Sequence, residues 1–160
     1  MQDHYYSKKL ERSFPTRLDF LLYAHDGRGF GHVSRSVAVG LALKRLYPYY
    51  RLLLITGSAG TAMLIGPGEL DWIKLPSYKT VLKNGVSEGR DSTAGFYKSV
   101  LGNHRADMLE ATMTILRPRC VLVDHNPFGK RNELVKTLER QTGSDCQWVL
   151  GLRGIIGDDK

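Results

Sequence analysis

The sequence predicts an α/β domain with a doubly wound parallel sheet, and three observations carry that prediction. Aliphatic runs of strand length alternate with segments of helical period from residue 18 to 153, glycine, proline or polar clusters bound each run, and no apolar stretch reaches 18 residues. Alternation of this kind calls for right-handed crossovers, giving five main strands in the order 3-2-1-4-5.

The elements follow in order. "LDFLLYAH" (18–25) reads as a buried first strand closed by a glycine loop. "VSRSVAVGLALKRLY" (33–47) is apolar from Val37 to Leu43 and stops before Pro48, as a helix packed on a sheet does. "YRLLLITG" (50–57) and "DWIKLPS" (71–77) are the second and third strands, with a short helix or turn over 61–65 between them. Residues 78–93 are polar and aperiodic and read as a long loop. From Thr93 to Leu116 the residues Phe96, Val100, Leu101, Met108, Ala111 and Ile115 recur at helical steps and mark a core-facing stripe on a helix closed by Pro118. "CVLVDH" (120–125) is the fourth strand, "RNELVKTLER" puts Leu134, Val135 and Leu138 on one helical face, and "CQWVLGLR" (146–153) is the fifth.

Residues 1–17 read as an N-terminal extension to a single domain over 18–157, since 160 residues is about one domain. The 42% apolar share suffices for a real core. A net charge of +7 and a pI near 9.5 favour an anionic partner without choosing one. The N-terminus lacks the apolar core of a signal peptide, so the expected location is cytoplasmic, with peripheral membrane contact left open. Cys120 and Cys146 are too few for a disulfide framework and lack metal-ligand spacing, so they read as buried thiols and no metal is expected.

In the order 3-2-1-4-5 the first and fourth strands are neighbours whose outgoing chains part, and ligands bind in the crevice at such a switch point. "DGRGFGH" and "DHNPFG" line it. The chain has no GxxxxGK[ST] sequence, and His32 stands where a dinucleotide fingerprint needs its third glycine, so P-loop and NAD chemistry are disfavoured. What remains is a glycine turn entering a helix, a place where backbone N–H groups meet an anion.

"GFGHVSRS" after the first strand, "VLVDHNPFG" after the fourth and "VLGLRGI" after the fifth together resemble the N-terminal half of predicted GT-B glycosyltransferases. The resemblance extends to the peptidoglycan N-acetylglucosaminyltransferase family and to the nucleotide-sugar hydrolase of pseudaminic acid synthesis, and it covers roughly residues 18–157. It implies a Rossmann-like, acceptor-binding domain facing a second domain that holds most of the nucleotide-sugar donor. No other cofactor is implied. The chain ends at Lys160, just past the fifth strand, so the C-terminal donor domain is expected to be absent from it.

Under that resemblance His32 is the general base that takes the proton of the acceptor hydroxyl, the alternative being a helix cap. Asp124, in preference to Asp26, would orient its imidazole, although either carboxylate also suits a cap. Gly29 and Gly31, with Gly27, would let the main chain approach a ligand. Arg35 would bind phosphate or lock the 124–129 loop, His125 and Glu133 are weaker candidates, and Gly129 shapes the loop. Phe128 would pack beneath that loop or, less favoured, wall the acceptor pocket.

Arg28, Arg35, Lys79, Lys83, Arg90, Lys130, Arg131 and Arg153 all follow strand C-termini, which fits an anionic or lipid-linked acceptor as well as a solvated basic face. The expected partners are therefore a sugar or lipid-linked acceptor and a donor domain, with a homo-oligomer open. A nucleic-acid role lacks a motif. Two further readings stay open: a hydrolase in which His32 activates water, and a non-catalytic binding subunit.

Overall fold

A computed structural model describes residues 17–25, 30–67, 69–84, 86–92 and 94–152. Its main sheet contains β1 (Phe20–Ala24), β2 (Leu52–Thr56), β3 (Trp72–Lys74), β6 (Cys120–Asp124) and β7 (Gln147–Gly151). All neighbours are parallel, in the spatial order β3-β2-β1-β6-β7. The fold is thus an open, Rossmann-like α/β sheet. Two strands, β4 (Tyr78–Lys83) and β5 (Val86–Ser92), lie between β3 and β6 in the chain and pair antiparallel as a separate hairpin. That hairpin replaces the loop expected over 78–93 and corrects the order 3-2-1-4-5, because the two strands beyond β1 become the sixth and seventh.

Alternation along β1 divides the core. Leu21 and Tyr23 face one side with Ile55, Val121, Val123 and Leu134, and there they meet Leu109 and Met113 of α3 (Lys98–Leu116). Leu22 and Ala24 face the other side with Leu52 and Leu54, against Val33 and Val37 of α1 (Gly31–Leu46) and Ile65 of α2 (Thr61–Ile65). A period of two in a strand buried on both faces makes this run continuous in apolar residues. Gly40 lets α1 lie close, since a Cβ there would come within 2.8 Å of Leu70 and 3.3 Å of Leu22.

Helix ends obey local rules. Lys44 and Arg45 occupy the last turn of α1, where cations complement the helix dipole. Arg117 closes α3 in the left-handed region (φ 42), with its N–H on the Met113 carbonyl, and Pro118 follows as the residue that cannot continue the helix. The helix expected over 131–140 is shorter: a 3-10 turn covers Lys130–Asn132 and α4 covers Val135–Arg140. On α3 the expected core stripe is corrected. Leu101 is buried, but Phe96, Val100, Met108, Ala111 and Ile115 are exposed, and the helix buries Leu101, Arg105, Leu109 and Met113 instead.

Candidate functional site

Parallel strands deliver their C-terminal residues to one end of the sheet. His25 follows the end of β1, Asp124 is the last residue of β6, and α1 starts at Gly31, so His32 stands in its first turn. His32 Nδ1 lies 2.5 Å from Asp124 Oδ2. Arg35, one turn further along α1, donates from Nε to Asp124 Oδ1 at 2.7 Å, with Nη2 2.6 Å from the same oxygen. Burial raises the Asp124 pKa, but the hydrogen bonds from Arg35 and His32 outweigh it and hold the carboxyl below its ordinary range. A carboxylate only accepts, so Nδ1 carries the shared proton and Nε2 is left for another partner.

The N-cap of α1 is Phe30, and no side chain makes a cap bond at the helix start. The Arg35 guanidinium ties α1 to the end of β6 through Asp124. His125 is exposed, has a left-handed backbone (φ 63) and stacks on His32 with ring centroids 5.8 Å apart. Its N–H bonds the Gly151 carbonyl at 2.8 Å and extends the β6–β7 ladder by one residue.

The loop after β6 is pinned from below. Gly129 has φ 69, and a Cβ there would stand 2.9 Å from the Tyr23 hydroxyl, so glycine is required on both counts. Gly31 is different. A Cβ at Gly31 would meet nothing within 4 Å, so packing within the described residues does not demand glycine there. Phe128 is 51% exposed, which corrects the expectation that it packs beneath the loop: Leu134 and Tyr23 already fill that space. Gly29, Asp26, Gly27, Arg28 and Arg153 lie outside the described residues. Glu133, a weaker candidate for the site, is a buried carboxylate bonded to Arg105 and Tyr23. Arg105, fully buried, donates to it from Nε at 2.5 Å and Nη2 at 2.8 Å, and from Nη1 to the Pro76 carbonyl at 2.6 Å. The Tyr23 hydroxyl donates to Glu133 Oε1 and accepts the Lys130 N–H at 3.2 Å.

Of the basic residues, Lys130 and Arg131 lie over the Tyr78 ring, each 5.1 Å from its centroid, and Lys79 is exposed at the start of the hairpin. Lys83 and Arg90 belong to β4 and β5. Both cysteines are half-buried, and burial pushes their thiols up, which keeps them protonated and unreactive.

His25 was not foreseen. Its ring centroid is 4.1 Å from that of His32, and its buried Nδ1 has no hydrogen-bond partner. Donor atoms of His25, His32 and Asp124 lie within 4.8 Å of one another, a grouping that a metal ion could use. However, both Asp124 oxygens are already engaged, one by a guanidinium, so a cation would have to compete with Arg35. Burial, followed by repulsion from His32, lowers the His25 pKa below the ordinary histidine value. The folded state therefore binds protons less readily than the unfolded state, and stability is lost as pH falls through about 6.5. Urea midpoints should drop between pH 7.5 and 5.5 in the wild type and drop less in His25→Gln. An equal drop in both would show that His25 is not responsible.

No family model matches the chain, and no curated protein sequence or solved structure does either.

Proposed function

We propose that this chain is the acceptor-side domain of a nucleotide-sugar-dependent glycosyltransferase of the GT-B kind. The observation that carries the reading is the His32–Asp124 pair, 2.5 Å apart, at the switch point between β1 and β6. An acceptor hydroxyl at Nε2 would give its proton to His32 as its oxygen attacks the anomeric carbon, while the bond from that carbon to the nucleoside diphosphate breaks. Asp124 then stabilises the imidazolium through Nδ1–H, as the orienting carboxylate of a triad does. Arg35 keeps Asp124 ionised and in place.

The donor would be held mainly by a second domain outside these 160 residues. Lys79, Lys130 and Arg131, with the exposed Phe128, suit an anionic or lipid-linked acceptor on the crevice side. Such an acceptor would bring the protein to the cytoplasmic membrane surface as a peripheral partner. Among the described residues no helix is long and apolar enough to cross a membrane.

The test is a panel of nucleotide sugars given to this domain joined to its donor-binding domain. The expected result is release of nucleoside diphosphate that depends on an added sugar or lipid-linked acceptor. Release that proceeds equally without acceptor would instead identify a hydrolase, and submicromolar binding of a nucleotide sugar by the 160 residues alone would contradict the division of labour.

A further inference from the structure

Three side chains of ligand type converge where β1, β6 and α1 meet, and the proposed proton transfer employs only two of them. Donor atoms of His25, His32 and Asp124 lie within 4.8 Å of one another. His25 Nδ1 is buried and makes no hydrogen bond, although its ring centroid is 4.1 Å from that of His32. A buried polar nitrogen in that state costs stability until something satisfies it. Its neighbours do not, because His32 Nδ1 and Asp124 Oδ2, 2.5 Å apart, are bonded to each other.

We infer that His25, His32 and Asp124 form a site for a divalent transition-metal ion of the zinc class. Two imidazoles and one carboxylate make the three protein ligands of an open zinc site, whose fourth position belongs to water or substrate. His25 Nδ1 supplies the nitrogen that lacks a partner. The ion takes the place of the proton shared by His32 Nδ1 and Asp124 Oδ2, and that proton leaves to solvent. Bonds of about 2.0–2.2 Å put tetrahedral ligands roughly 3.4 Å apart, so the His32–Asp124 pair opens by about 1 Å and the widest pair closes by no more than about 1.4 Å.

Arg35 donates to Oδ1 and not to the oxygen that faces His32, so it stays in place and orients the carboxylate as an outer-shell partner does. Its charge also sets selectivity. Mg2+ or Ca2+ would meet the guanidinium with one carboxylate to attract it, whereas Zn2+ gains two nitrogen ligands. With a metal on Nδ1 the neutral His32 ring carries its proton on Nε2 and has no lone pair for an acceptor hydroxyl. Zinc would therefore inhibit the proposed transfer, and that consequence alone rests on the proposed function.

The test is calorimetric titration of the metal-free 160-residue chain with zinc chloride, without any sugar, so that its outcome is independent of the glycosyltransferase reading. One ion per chain should bind with micromolar affinity, and millimolar magnesium should not compete. Loss of even an outer-shell partner usually costs about 10–100-fold, so His25→Gln and His32→Ala should each weaken zinc by more than about tenfold, with circular dichroism showing that both fold. His104→Gln should leave the affinity unchanged. In nitrogen–proton spectra of the rings, zinc should shift His25 and His32 and move the His32 proton to Nε2. A chain that binds no zinc at millimolar concentration overturns the inference. So does an affinity equal in wild type, His25→Gln and His32→Ala, or zinc that shifts His104 and leaves His25 in place.

Discussion

Replacing Arg105 by alanine is expected to destabilise the fold by about 3–5 kcal/mol, the usual cost of breaking a buried ion pair by removing one partner. The reason is what remains behind. Glu133 is shielded from solvent and would lose its guanidinium partner while keeping the Tyr23 hydroxyl, and the Pro76 carbonyl would lose its donor. For a chain of this size the melting temperature should fall by roughly 6–20 °C. Replacing both charges together, Arg105→Met with Glu133→Leu, should cost markedly less than the single change, since no unpaired ion is left. Calorimetry on the two variants checks both statements. If Arg105→Ala melts within a degree or two of wild type, the network is not holding the 125–134 loop.

His32→Ala should lower sugar transfer by roughly 100 to 10,000-fold, the range for losing a positioned base. His32 is partly exposed and the substitution leaves Asp124 paired with Arg35, so the fold should survive. Asp124→Asn should have a different profile. It would leave one amide oxygen where two carboxylate oxygens serve His32 and Arg35, and it removes the charge, lowering both turnover and stability. A His32→Ala variant that melts early yet turns over at a near wild-type rate would reduce the residue to a structural role.

The layered core was legible in the sequence because β1, β2 and β6 are buried on both sides and so read as unbroken aliphatic runs. The hairpin was not. Its strands carry lysines, serines and acids instead of an apolar alternation, although "KNGV" holds the Asn-Gly pair that marks a two-residue turn, and Asn84 does adopt φ 50. The face of α3 was misread for a related reason. Its buried residues are Leu101, Arg105, Leu109, Glu110 and Met113, and two charged side chains among them break the apolar pattern, whereas the outward side is interrupted by the single His104.

Within the site, His32, Asp124 and Arg35 could be singled out because they sit where β1, α1 and β6 meet. Their mutual bonding depends on how far the chain turns after Ala24, and sequence spacing does not contain that. Phe128 does not pack beneath the loop because Tyr23 and Leu134 already lie against Gly129 there. Tyr23 itself was hidden as one more apolar strand residue. His25 passed unnoticed because it ends the first strand like any boundary residue, and only the fold stacks it against His32.

The central claim is that Asp124 holds the His32 ring with its proton on Nδ1 and its free lone pair on Nε2. Long-range nitrogen–proton correlation spectra of the uniformly labelled 160-residue chain near neutral pH read this directly. The expected result is that the neutral form of the His32 ring carries its proton on Nδ1, a pattern that Asp124→Asn disturbs. A neutral ring with its proton on Nε2, unchanged by Asp124→Asn, would contradict it.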